Sequence, residues 1–241
     1  MATSLSKQSA AEFSVVVPAT SANLGCAFDC AAVALNLYLK VRAIPTAGSR
    51  VEIRYSGPES AAIPLDETNL VAQSFRRGVG EPRSQVNGLR IEIENAIPIG
   101  VGLGSSAAAI IAGIVLGARA SGVKPDDAHV LRLAAEIEGH PDNVAAAYLG
   151  GFVVSARAES GEILTARTDV PGFLKFIAVV PDFPMPTKKA REVLPVTYAR
   201  ADAVYNLQRA SLLSAAMFSG RFDLRPEFFF AIACTSLIAP S

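Results

Sequence analysis

The stretch Pro98-Ile99-Gly100-Val101-Gly102-Leu103-Gly104-Ser105-Ser106-Ala107-Ala108 limits this chain more narrowly than any other. Three glycines alternate, two serines follow, and the residues onward to Ala120 are apolar on nearly every side. The run predicts a helix over Ser106–Ala120 that is buried all round, because a surface helix would keep a polar face. Ahead of it, glycine lets backbone N–H groups turn through positive φ and approach a ligand. The helix start adds unpaired N–H groups and a partial positive charge. Together these make a cradle for phosphate, with Ser105 and Ser106 offering hydroxyls to phosphate oxygen or Mg²⁺. A tight strand-to-helix turn with serine N-caps is the plainer alternative. Two familiar phosphate loops are excluded: no lysine precedes the serines, and the spacing is G-x-G-x-G rather than G-x-G-x-x-G.

The residues before this loop are strand-rich. Phe13–Pro18 is a valine-rich strand. Ala31–Ala43, Arg50–Tyr55 and Leu89–Asn95 alternate apolar and polar positions, with Leu89, Ile91 and Ile93 on one face. After the buried helix, Lys124-Pro125-Asp126 opens an amphipathic helix whose stripe is Val130, Leu133, Ala134 and Ile137. Gly150-Gly151 punctuates and Phe152–Ala156 is a strand. Phe173–Val180 is expected as a strand opening a second subdomain, and Lys188–Leu194 and Ala201–Ser219 as helices. Strands, then helices, then strand and helices argue for an α+β fold. The expected division is residues 1–170 and 171–241.

Composition excludes several classes. Hydrophobic residues make up 51% and charged residues 18%, a globular balance that can bury a core. Lys+Arg and Asp+Glu number 22 each, so no bulk field attracts nucleic acid or an anionic membrane, and phosphate chemistry needs a local site. Cys26, Cys30 and Cys234 have neither a disulfide framework's number nor zinc-ligand spacing, which reads as reduced thiols in the cytoplasm. Met1–Glu12 has no apolar core of a signal peptide, and the apolar run Ala107–Ala118 is too short to span a bilayer.

Three further segments carry polar groups. Pro18-Ala19-Thr20-Ser21-Ala22-Asn23-Leu24-Gly25-Cys26-Ala27-Phe28-Asp29 reads as a polar loop after the first strand. Asn23 offers donors and an acceptor, and Asp29 a carboxylate for an ammonium or hydroxyl, but an ordinary turn also fits. In Glu136-Ile137-Glu138-Gly139-His140-Pro141-Asp142-Asn143, Glu136 could hold Mg²⁺, which takes one or two carboxylates alongside phosphates. Asp142 reads more simply as an N-cap of Asn143–Leu149, and a lone histidine such as His140 is more often structural. In Thr187-Lys188-Lys189-Ala190-Arg191, hydroxyl and guanidinium could grip a carboxylate, or form a solvated basic face.

These four segments, in this order, resemble the GHMP kinases, which phosphorylate small alcohols with ATP. The glycine-serine loop resembles that superfamily's second motif. Pro18–Gly25 with Phe28-Asp29, in place of the Pro-Gly-Lys and Gly-Glu-His of mevalonate- and galactokinase-like members, resembles the homoserine kinase branch. So do His140–Asn143 and Thr187–Arg191. The resemblance spans roughly Phe13–Arg225. It implies a GHMP kinase fold, in which an N-terminal α+β nucleotide-binding domain is followed by a ferredoxin-like C-terminal domain. It implies that Pro98, Gly100, Gly102, Leu103, Gly104, Ser105, Ser106 and Ala107 wrap the phosphates of ATP, and that Ser106 and Glu136 bind Mg²⁺. Asn23, Asp29, His140, Asp142, Asn143, Thr187 and Arg191 are implied to line an L-homoserine pocket. There Asp142 and Asn143 would orient the hydroxyl that attacks the γ-phosphate, and no general base is assigned. A homodimer is compatible with the resemblance.

Two departures accompany it. Cys26-Ala27 stands where the family usually has Pro-Gly. After Asp223-Leu224-Arg225-Pro226-Glu227 the resemblance implies a Gln-Pro-Tyr-Arg-like arginine and a third glycine-serine motif. Neither occurs before Ser241, so a truncated or altered C-terminal part is expected. A GHMP kinase for another small alcohol, or a nucleotide- or amino-acid-binding protein lacking that motif, are the competing readings.

Overall fold

A computed structural model of the chain describes residues 12–46, 50–80, 88–177 and 194–223. Six strands and five helices are set out in them: β1 Phe13–Ala22, β2 Ala31–Thr46, β3 Val51–Ser56, α1 Leu70–Val79, β4 Gly88–Asn95, α2 Ser105–Ala120, α3 Asp127–Glu138, α4 Asp142–Leu149, β5 Phe152–Arg157, β6 Ile163–Thr168 and α5 Arg200–Ser219. The strands form one sheet in the order β3-β4-β2-β5-β6, with β1 also paired to β2. All pairs are antiparallel except β3 and β4, which α1 connects. The 16-residue β2 serves two neighbours in turn, β5 through Ala31–Val33 and β4 through Leu39–Thr46.

The α+β class and the buried helix are as the sequence predicts. Ile110, Ile111, Ile114 and Leu116 of α2 are at most 2% exposed. Full burial of each stabilises the fold by about 1.5–3 kcal/mol relative to leaving it in water. α2 packs against α1, α3, α4 and β1. Its contact with α1 explains glycines inside an apolar run: a Cβ at Gly113 would lie 2.5 Å from Val71 O, and one at Gly117 2.2 Å from Phe75 O. Only glycine allows the two backbones to come that close.

Several expectations need correction. β1 does not stop at Pro18. Its register shifts between Pro18 and Ala19, and it then pairs on to Ala22. Proline cannot donate to a ladder, and a bulge absorbs it. Ala19–Ala22, a third of the expected polar loop, is therefore buried strand. α3 starts after Asp126, whose carboxylate accepts from His129 N–H at 2.9 Å, so Asp126 rather than Pro125 sets its start. α4 begins one residue early, with Pro141 at the cap position and Asp142 in its first turn. α1 and β6 are additions. Residues 173–177 are irregular, so the strand expected over Phe173–Val180 does not form in its described part. The rest of that strand, all but Leu194 of the expected Lys188–Leu194 helix, Thr187, Arg191 and the tail after Asp223 lie outside the described residues, as does nearly half of the expected second division, residues 171–241.

Candidate active site

The glycine loop reaches Gly104 through positive φ at Gly100 (76°), Gly102 (76°) and Gly104 (68°). Gly104 occupies the N-cap position of α2, so Ser105 and Ser106 are its first helical residues and neither is a cap. Their N–H groups belong to the turn that no intrahelical acceptor satisfies. A cleft of about 500 Å³ opens at this point, lined by Pro98, Gly100, Gly102, Leu103, Gly104, Ser105 and Ser106. Ala107 was expected to share this role, but it is wholly buried and takes no part in the lining. One helical step turns it inward to the core.

The same cleft takes in Asn23, Glu138, His140 and Asn143. Asn23 and Asp29 both adopt left-handed backbone, at φ 57° and 54°. Asn23 Oδ1 accepts from Asp29 N–H at 2.8 Å, which closes the loop between them. Asparagine and aspartate tolerate that conformation better than other residues with a Cβ. Asp29, His140 and Asp142 bring their ligand atoms within 4.8 Å of one another.

Asp142 needs correction as a residue that orients substrate directly, because it is fully buried. Its Oδ1 accepts from Asn143 N–H at 2.6 Å and lies 2.5 Å from His140 Nδ1. It therefore fixes the histidine ring and the start of α4 from behind. The hydrogen bond to Asp142 raises the His140 pKa above its ordinary value; burial opposes this, and the charges of Asp142, Glu138 and Asp29 reinforce it. With Nδ1 engaged, Nε2 is the ring nitrogen left to the cleft.

Glu136 also needs correction. It pairs with Arg132 at 2.7 Å and Arg77 at 3.4 Å, is exposed, and does not line the cleft. Glu138, two residues on, does: its Oε2 accepts from Ser106 Oγ at 2.8 Å. The turn of α3 separates the two carboxylates. Glu136 falls on the solvent face with Arg132, one turn earlier, whereas Glu138 falls beside the glycine loop. The Ser106 hydroxyl and the Glu138 carboxylate are hard oxygen donors of the kind Mg²⁺ takes, so the chemistry of the set fits that ion. The thiols of Cys26 and Cys30 are free, and burial pushes both pKa values up.

Sequence reasoning missed the cleft's apolar part: Tyr55, Ile63, Pro64, Leu70 and Ile93, with Asn69 and Asn95. Asn69 caps α1 by accepting from Val71 N–H at 2.9 Å and donates to Pro64 O at 2.8 Å, so it pins the connection after β3. Asn95 donates to Tyr55 Oη and to Ile97 O. No local motif marks these positions, because three separate elements bring them together. Thr20 was also missed: its hydroxyl donates to Asn143 Oδ1 at 2.7 Å.

Comparison with known proteins agrees with this geometry. Residues 68–151 match the model of the GHMP kinases N terminal domain. A homoserine kinase of Desulfitobacterium hafniense is 43% identical over 213 residues, covering 88% of this chain and 71% of the relative. One of Solibacter usitatus is 41% identical over 214 residues, covering 89% and 70%. The crystal structure of homoserine kinase from Cytophaga hutchinsonii superposes with a TM-score of 0.75 at 29% identity, over 93% of this chain and 72% of that one. The crystal structure of L. major mevalonate kinase has the same fold, with a TM-score of 0.61 at 14% identity over 92% of this chain and 74% of that one.

Proposed function

Because the chain belongs to the homoserine kinase family of GHMP kinases, we propose that it transfers the γ-phosphoryl group of Mg·ATP to the side-chain hydroxyl of L-homoserine. The products are O-phospho-L-homoserine and ADP, and the reaction serves threonine biosynthesis in the cytoplasm. The observation that carries this reading is the cleft itself: a glycine cradle at a helix start opens onto a cluster of polar side chains.

Phosphoryl transfer asks little covalent chemistry of a protein, and it depends on positioning and on charge stabilisation. The adenine ring fits the apolar part of the cleft, between Tyr55, Pro64 and Leu70. The triphosphate lies along Gly100–Ser106, where backbone N–H groups face the oxygens that gain charge. Ser106 and Glu138 would hold Mg²⁺, which would supply charge neutralisation on the phosphates. Asp29 receives the substrate ammonium. Arg191, from the sequence, grips its carboxylate in the two-pronged contact that lysine cannot make. His140 and Asn143 fix the hydroxyl. A bond forms from that oxygen to the γ-phosphorus, the bond from phosphorus to the ADP oxygen breaks, and the hydroxyl proton passes to the oxygens of the transferred phosphoryl group and from there to solvent water.

Coupled ADP release over homoserine, threonine, serine and mevalonate tests the reading. Homoserine-dependent turnover is expected. Turnover of mevalonate without homoserine would make the chain a kinase of another alcohol. Calorimetric binding of Mg·ATP with no turnover of any alcohol would make it a binding protein.

A further inference from the structure

Thr20 touches both halves of the cleft, although no motif reading singles it out. It sits in the second half of β1 and is completely buried. Its N–H donates to Leu103 O in the glycine loop at 3.1 Å. Its hydroxyl donates to Asn143 Oδ1, a residue 123 positions away in the first turn of α4. A Cβ at Gly104 would come within 1.9 Å of that hydroxyl, so the hydroxyl also fills the space against the loop's last glycine.

A threonine hydroxyl has one proton. Here Asn143 Oδ1 takes it, which turns the carboxamide oxygen toward β1 and leaves the Nδ2 hydrogens for the cleft that Asn143 lines. The branched Cβ restricts rotation about χ1, so the hydroxyl keeps its direction. We propose that Thr20 is a positioning residue: it fixes the roll of the Asn143 carboxamide, so that Asn143 donates to the reacting oxygens from a set point relative to the glycine loop. Asn143 then acts as a hydrogen-bond donor in the transfer and not as a proton acceptor. The inference rests on the kinase reading and adds to it the orientation of the Asn143 amide and the residue that sets it.

Thr20→Val keeps the shape and removes the donated proton. Losing one such bond and the alignment it sets should lower kcat by about 10- to 100-fold. KM for Mg·ATP should stay within about twofold, because the cradle is backbone. Thr20→Ser, which restores the hydroxyl, should recover kcat to within about threefold. In an Asn143→Ala background the valine should cost less than about twofold more, since a residue acting through Asn143 has nothing left to position. Asn143→Asp, which puts an acceptor where the donor stood, should lose as much as Asn143→Ala. Wild-type kcat in a folded Thr20→Val, losses that multiply in the double variant, or an Asn143→Asp as active as wild type would each overturn the proposal. If Thr20→Val does not fold, the half-buried Asn143→Asp decides alone. If the wild type shows no homoserine-dependent turnover, the kinase reading fails by itself, and the side-chain amide resonances of Asn143 decide instead. A shift of those resonances in Thr20→Val but not in Thr20→Ser supports the lock, and unchanged resonances in Thr20→Val refute it.

Discussion

The two ends of the cleft are built from different material. The phosphate end is backbone: positive φ at Gly100 and Gly102 and the N–H groups at the start of α2. The substrate end is a set of side chains that hold one another, Thr20 to Asn143, Asp142 to His140 and Asn143 N–H, and Asn23 to Asp29 N–H. A backbone cradle tolerates change wherever φ permits a side chain, and fails abruptly where it does not. An interlocked set fails gradually, because each deletion leaves a partner unsatisfied at about 1–3 kcal/mol.

Gly104→Val should break the contrast most severely. It places a β-branched residue at φ 68° and drives a Cβ into Thr20. The expected loss is about 3 kcal/mol or more, enough to remove much of a typical domain's margin. Gly100→Ala shares the positive φ but meets nothing within 4 Å, so it should cost about 1 kcal/mol. Thermal unfolding of the two variants measures the difference, and equal losses would show that Thr20 does not wall the loop.

A smaller effect separates the two carboxylates of α3. Glu138→Gln should lower kcat/KM by about 100-fold and raise the Mg²⁺ needed for half-maximal rate. Glu136→Gln removes only exposed ion pairs, worth at most about 1 kcal/mol, and should leave the rate within about threefold. A magnesium titration of ADP release in each variant is the check, and the reverse order would restore Glu136 to the site.

The smallest effect concerns pH. His140 has a raised folded pKa, so its partnership with Asp142 stabilises the charged ring. That stabilisation is fully present below the ordinary value of 6.5 and is lost as pH rises through the raised folded value. The melting temperature should therefore fall more between pH 6 and pH 9 in the wild type than in His140→Asn, in which the pair is absent. Parallel profiles would show that the pair contributes nothing to stability.

How far the site could be read from sequence followed the same division. The glycine loop was visible because one contiguous segment holds all its parts, and its helix began within one residue of expectation. Arg132, four residues before Glu136, is compatible with a solvent-facing pair, but nothing in the sequence puts Glu138 beside Ser106. The extension of β1 past Pro18 was less accessible. Proline suggested an end, and only pairing with Ala32–Leu35 of β2 kept the strand going.

By itself, the sequence determined the buried helix, the glycine turn before it and the α+β order of elements. Each depends on side-chain periodicity or on φ freedom within a few neighbouring residues. Tertiary structure decided which carboxylate meets Ser106, that Asp142 works from behind His140, and that Thr20 faces Asn143 from 123 positions away. Those relations depend on the phase of one helix against another and on a bulge that re-aims a strand. Both are set by how separate elements pack, which no local pattern of residues encodes.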